Sequence, residues 1–382
     1  MQIHTGFSKL NKREKIDILR KYVPLDEEQI SLLSTFRGND RVTNDLIEKL
    51  SENCISNYML PFGIAPNFLV NGKIYFVPMV TEESSVVAAT AYAAKFWSDK
   101  GGFKARIIGT KKTGQIYFSW AGGIKKLQSD FPILKERLRA ATRLLTANME
   151  KRGAGISDIT LSNNTLKEND YYTLNVDFET ADSMGANLIN SCLESMKPEL
   201  LSFLKDKYPE VSSEAEIIMA ILSNYTPDCM VECQVECDIS QFSQISGGLS
   251  PDQFARKFEK AVIIARENVQ RAVTHNKGIF NGIDAVLIST GNDFRAVEAC
   301  GHAYASKDGR YTSLTDIEIL ENRFKYTLRI PLSLGTVGGA TSVHPLAKLA
   351  LQIMGNPSAK ELMQIVAAAG LASNFAAIRS LI

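Results

Sequence analysis

The sequence lacks several things, and each absence removes a class of function. No uninterrupted run of about 18 apolar residues occurs, so a bilayer span is not expected. The start, MQIHTGFSKLNKREKIDIL, is charged and amphipathic and has no apolar signal core. A cytoplasmic location is the expectation. Neither sign of charge dominates: 43 lysines and arginines face 42 aspartates and glutamates. Such a balance leaves no electrostatic footprint for nucleic acid or an anionic membrane. No GxGxxG follows a strand pattern, which argues against a Rossmann fold, and no GxSxG offers a hydrolase nucleophile. Histidine is scarce. His4, in the terminal segment, and His275, His302 and His344 have no ligand spacing and form neither triad nor metal site. Cys229, Cys233 and Cys237 recur evenly in CMVECQVEC, but without the paired spacing of a zinc site or a nearby histidine. They read as free thiols of a reducing compartment, some buried as small apolar side chains.

What is present points to an α+β chain of about two domains. KLNKREKIDILRKYV carries apolar residues at helical spacing, and residues 41–51 continue helical before a loop near Glu52. Pro61, Gly63 and Pro66 suggest a tight loop, and ESSVVAATAYAAKFWSDK a buried helix stopped by Gly101 and Gly102. The period then changes. ARIIGTKK and GQIYFSW read as strands, FPILKERLRAATRLLTANMEKR as a long helix, GISDITLS and YYTLNVDFET as strands, and DSMGANLINSCLESMKPELLSFL as a second helix. That order is the order of a split βαβ sandwich. It predicts an insertion at about 109–218 between two mostly helical stretches, 1–108 and 219–382. In the latter, SPDQFARKFEKAVIIARENVQRAV reads as one amphipathic helix, and Ser358 and Glu361 form a capping box for another.

Three constellations are candidates for chemistry. Glu82 and Glu83 sit just before an apolar helix, where acids are also ordinary partners of the helix dipole. Lys277, between Asn276 and Gly278, falls in a polar break between apolar stretches; a partly buried lysine there needs a carboxylate. Asp293 in GND is a candidate partner, or simply the N-cap of the following helix. In ADSMGAN, Asp182 precedes a helix and Gly185 lies in its first turn. Free N–H groups there suit a pyrophosphate, though Asp182 also reads as a plain cap. The glycines of GTVGGAT, Gly338 among them, permit close backbone approach to a ligand.

Taken in order along the chain, ENCISNYMLPFGIAPNF, VPMVTEESSVVAA, ADSMGANLIN, THNKGIFNGIDA, TGNDFRAVEA and GTVGGATSVHPLA resemble the class II 3-hydroxy-3-methylglutaryl-coenzyme A (HMG-CoA) reductases. The resemblance implies a large helical substrate-binding domain with an inserted ferredoxin-like (split βαβ), non-Rossmann domain for the cofactor. It implies reduction of HMG-CoA to mevalonate and coenzyme A by two hydride transfers, in a homodimer whose active sites lie at the interface. Glu83, Lys277 and Asp293 match the catalytic positions. Ser85, Arg271 and Asn281 match positions that hold the acyl group. Asp182, Met184, Gly185 and Asn187 match the cofactor turn, with Asn224 and Gly338 as further contacts. Metal is not expected.

Relatives that prefer NADH carry an acid on the helix before the glycine turn. Here Thr146 falls at that place, with Arg143, Lys151 and Arg152 nearby. A hydroxyl and cations accept a 2′-phosphate where an acid repels it, so NADPH is expected and NADH is the alternative. Glu150 restores an acid if the register slips by a turn. In the resembling family a histidine on a C-terminal flap protonates the coenzyme A thiolate. This sequence stops at Ile382 with none of its histidines at that position, which leads us to expect a further flap. Two alternatives stay open: an acyl-coenzyme A-binding or regulatory protein on the same scaffold, and an NAD-dependent degradative reductase.

Overall fold

The computed structural model describes residues 6–37, 40–163 and 171–382; His4 lies outside the described residues. The chain divides into two compact units that meet in sequence at Pro61 and Phe62. In the first, α1 (Lys12–Tyr22) starts at an Asn11–Glu14 capping box, followed by α2 (Glu27–Arg37) and α3 (Arg41–Leu50). The Ser56 hydroxyl donates to the Leu33 carbonyl, and the Asn57 amide to the Arg37 carbonyl.

The second unit opens with a departure from the expected loop. β1 (Phe62–Val70) and β2 (Lys73–Val80) form an antiparallel hairpin. Pro66 is accommodated by a register shift between Ala65 and Phe68, the kind of irregularity a strand proline requires. Next come α4 (Val86–Ser98), β3 (Lys104–Ile107) and β4 (Lys112–Ser119). Then follow α5 (Ile124–Glu150), β5 (Gly155–Asn163), β6 (Tyr171–Glu179), α6 (Ala186–Lys207) and β7 (Glu216–Leu222).

β4 to β7 make one antiparallel sheet in the order β5-β6-β4-β7, the ferredoxin-like arrangement. It packs on α5 and α6 around its own apolar cluster, with Phe118, Trp120, Leu134, Phe178 and Phe203 fully buried. β3 belongs to a different sheet, so ARIIGTKK and GQIYFSW are not neighbours. β7 runs past residue 218, where helices were expected to return.

More strands follow where only helices were expected. β8 (Met230–Asp238) comes before α7 (Pro251–Glu267), α8 (Val269–Ser289) and α9 (Phe294–Ala305). β9 (Thr315–Leu320) and β10 (Arg323–Pro331) precede α10 (Gly339–Val343), α11 (Pro345–Ile353) and α12 (Ala359–Leu381). The second four-stranded sheet has the order β3-β8-β10-β9. The evenly spaced cysteines are explained here: Cys233 and Cys237 share the inward face of β8 with Val231 and Val235. Burial pushes the Cys229 thiol up to about 11 and Cys237 up to about 12.

α7 and α8, expected as one helix, are divided at Asn268, whose side chain accepts the Arg271 N–H and starts a new helix. The core is organised around α12, which carries the expected Ser358–Glu361 capping box and packs on α4, α8 and β8. Among the described residues it is the one helix long and apolar enough to cross a membrane, although no uninterrupted apolar run marks it; 83% of its most apolar window is buried inside the fold. Gly282 and Gly370 let α8 and α12 approach closely. A Cβ on Gly282 would stand 2.4 Å from the Ala369 carbonyl oxygen.

Candidate functional site

α8 displays Lys277, Asn281, Asp284 and Ile288 on one face, the face that residues spaced by three and four share. The expected polar break at Lys277 does not exist, since the helix is continuous through it. The polar letters beside it are explained by inward partners. His275 Nε2 shares a hydrogen bond with Thr315 Oγ1 at 2.6 Å, and Asn374 donates to the His275 carbonyl at 2.7 Å. Asn276 donates to Tyr311 Oη and the Thr312 carbonyl, and accepts from Leu314 N. Burial, then the nearby Arg271, pushes His275 down to about 3, so its ring is neutral. This network fixes the turn that presents Lys277.

β2 ends in the turn that carries Glu82 and Glu83. Thr81 Oγ1 accepts the Glu83 N–H, and Ser85 turns the chain into α4 with φ at +73°. The hairpin is tied to α8 by the Ser289 hydroxyl, which donates to the Pro78 carbonyl at 2.9 Å. So braced, Lys277 Nζ donates to Glu83 Oε2. The ammonium side chain is 57% exposed and the carboxylate 45%, so the pair stands open to a ligand. Ser85 is exposed, and Arg271 and Asn281 are partly buried. Lys277 is therefore on a solvated face, contrary to the expectation of partial burial, and its carboxylate partner is Glu83.

Asp293 is elsewhere. It caps α9 by accepting the Ala296 N–H at 3.2 Å and pairs with Arg295 at 3.5 Å. Lys277 and Ser289 alone are separated by a helical rise of about 18 Å. Asp293 instead lines a cleft of about 500 Å³ formed by Ser183–Leu188, Gly291–Arg295 and Val337–Thr341.

Met184, Gly185, Asn187 and Gly338 meet in this cleft. Gly185 caps α6 at φ +89° with no side-chain cap, so the first N–H groups of a 22-residue helix face outward. Thr336 N donates to the Asp182 carbonyl, and Gly335 N to Asn292 Oδ1, which stitches the three loops together. A Cβ on Gly335 would lie 2.5 Å from Met184 N. Glycine is needed there for that approach. The Asp182 side chain is exposed; its Oδ1 accepts the Ala359 N–H at 2.8 Å at the start of α12, so it does not cap α6. Asn224 lies beside Met184 in a small adjoining recess. Thr146 is buried, and its hydroxyl donates to Glu150 Oε1 at 2.6 Å.

Two groups escaped the sequence reading. Arg295, two positions after Asp293, is an exposed cation on the cleft wall. Asp284, one turn beyond Asn281, is pushed up to about 8, chiefly by burial and then by Glu298 beside it. The stripe of α8 was legible at helical spacing; Arg295 gave no signal beyond its place in TGNDFRA.

The hydroxymethylglutaryl-coenzyme A reductase family profile matches residues 11–382. The 3-hydroxy-3-methylglutaryl-coenzyme A reductase of Archaeoglobus fulgidus is 32% identical over 98% of this chain and 82% of its own. A probable reductase of the same name from Borreliella burgdorferi is 33% identical over 100% and 83%. The class II enzyme of Streptococcus pneumoniae, solved bound to NADPH in open conformations, superposes with a TM-score of 0.81 at 36% identity, covering 99% of both chains.

Proposed function

This chain belongs to the hydroxymethylglutaryl-coenzyme A reductase family, and from that premise we propose that it reduces HMG-CoA to mevalonate and coenzyme A with NADPH. One observation carries the reading: Glu83 and Lys277 are joined at an open site, while Asp293 stands with the cofactor turn.

The cleft fits a dinucleotide. Uncapped N–H groups at the start of α6 suit a pyrophosphate, and Gly338, where a Cβ would meet nothing within 4 Å, leaves the backbone open to it. Met184, Gly185, Asn187 and Gly338 would hold it, with Arg295 as a cation on the wall. Two NADPH molecules bound there in turn would each supply one hydride, and together they take a thioester carbonyl to an alcohol with loss of the coenzyme A thiolate. Each addition turns a carbonyl oxygen into an oxyanion, and the Lys277 ammonium supplies the fixed positive charge that stabilises it. Glu83, in hydrogen-bond contact with that ammonium, is placed to carry the proton the oxyanion needs. Ser85, Arg271 and Asn281 are the proposed holders of the acyl group.

The separation of Asp293 from Lys277 has a simple resolution. In a two-fold homodimer, Glu83 and Lys277 of one copy face the dinucleotide cleft and Asp293 of the other, so each site is completed by its partner. We therefore infer a homodimer with shared sites. The test is a steady-state assay with HMG-CoA and NADPH. Substrate-dependent oxidation of NADPH with release of free coenzyme A thiol is the expected result; its absence in both reaction directions overturns the reading.

A further inference from the structure

Lys112 opens β4 beneath the cofactor turn. Its side chain is 3% exposed. Nζ donates to Thr180 Oγ1 at 2.5 Å and to the Ser183 carbonyl at 2.8 Å, while Thr180 Oγ1 donates to that same carbonyl at 2.6 Å. The turn has no slack on this side: a Cβ on Gly185 would stand 2.4 Å from Thr180 Cγ2. Ser183 Oγ, in turn, accepts the Gly185 N–H at 3.0 Å.

Among the described residues no carboxylate forms an ion pair with this ammonium. The charged and titratable groups around it are few. Glu179, on β6, accepts from Thr110 Oγ1. The Cys229 thiol, before β8, is held neutral by burial. The Asp182 carboxylate is turned to α12. A buried cation served only by neutral acceptors is costly, and an anion bound nearby offsets that cost. The turn that Lys112 grips lines the dinucleotide cleft on its other side.

We infer that Lys112 is a positioning residue for the dinucleotide: it locks the Thr180–Gly185 turn from behind and sets a fixed positive charge under the pyrophosphate. The inference rests on the reading of this cleft as the NADPH site. Burial lowers the pKa of Lys112, and a bound anion raises it again. NADPH affinity is therefore greatest while the lysine is protonated, and falls as pH rises through its lowered pKa.

The test is titration of the full chain with NADPH from pH 7 to 10, followed by cofactor fluorescence, with HMG-CoA binding as a control. Lys112→Met is expected to weaken NADPH binding about tenfold and to flatten its alkaline limb. HMG-CoA binding should stay unchanged, and in steady state KM for NADPH should rise while kcat holds. Thr180→Val keeps the side-chain shape and removes the acceptor; it is expected to weaken NADPH several-fold even if Lys112→Met does not fold. Wild-type protein that binds NADPH, with Thr180→Val and any folded Lys112→Met matching it at every pH, overturns the role of Lys112 alone. Wild-type protein that binds no NADPH overturns the dinucleotide reading, and this inference with it.

Discussion

Lys277 and Glu83 meet across 194 residues of chain, the lysine from the middle of α8 and the glutamate from the turn after β2. Both are half exposed, so the contact adds little to stability, of the order of 0–1 kcal/mol. Lys277→Ala is expected to lower kcat by about a hundredfold or more while the melting temperature stays within about 2 °C of wild type. Near-normal turnover in this variant would remove Lys277 from the chemistry.

The proposed homodimer with shared sites makes a second prediction. Lys277→Ala and Asp293→Asn should each be inactive as homodimers. Dissociated, mixed and reassociated, they should recover about one quarter of wild-type activity, since half the dimers are mixed and each mixed dimer holds one intact site. If mixing restores nothing although mixed dimers form, Lys277 and Asp293 act within one chain and the dimer proposal is wrong.

The bond from Thr146 to Glu150 bears on cofactor choice. An exposed carboxylate holds the hydroxyl that was expected to meet the 2′-phosphate. Glu150→Ala removes a like charge, while Thr146 stays buried and bonded to the Thr142 carbonyl. The substitution should raise kcat/KM for NADPH about fivefold and leave that for NADH nearly unchanged. Equal changes for the two cofactors would place Glu150 away from the 2′ position.

At the α8–α12 crossing, Gly282→Ala drives a methyl into the Ala369 carbonyl and should cost about 1–3 kcal/mol in urea unfolding. Gly278→Ala, four residues earlier, meets nothing closer than 3.4 Å and should be neutral or mildly stabilising, because alanine favours helix. Reversal of that order would mean the crossing is looser than drawn.

Asp284 gives a pH signature. Burial and Glu298 raise its folded pKa to about 8, against about 4 in an unfolded chain. Between those values the folded state holds the extra proton, so this group withdraws stability as pH climbs from about 4 to about 8. Asp284→Asn should flatten that part of the stability curve and raise the melting temperature at pH 8 more than at pH 5. An equal shift at both pH values would show that the carboxyl is already ionised in the fold.

The elements most legible in the sequence were those whose partners are nearby. α5, α6 and α9 follow from periodicity, and the capping box of α12 from four letters. β8 and β10 were legible too, since MVECQVECD and RFKYTLRIP alternate strictly, with Phe324, Tyr326, Leu328 and Ile330 inward. Both were missed: the cysteines read as scattered free thiols and not as one face of a strand. The hairpin at 62–80 was obscured by Pro66, whose place depends on a register shift that only pairing reveals. Glu83 and Lys277 were singled out as candidates from their setting and the motif resemblance, but their contact was not, because α8 and the hairpin are brought together by residues as remote as Pro78 and Ser289. The polar letters around Lys277 misled for the same reason: the partners of His275 and Asn276 lie 35 or more residues away.

The interleaving of the two sheets sets a timetable for synthesis. The ferredoxin-like sheet closes entirely within residues 112–222 and can assemble on the nascent chain. β3 must wait for β8 and β8 for β10, and the apolar faces of α4 and α8 wait longer still for α12. At ordinary elongation rates those surfaces stay uncovered for about ten to thirty seconds after Leu222 is added. The growing polypeptide thus carries a finished small sheet hung on an unfinished hydrophobic frame, a state in which chaperone capture and aggregation compete until residues 359–381 emerge.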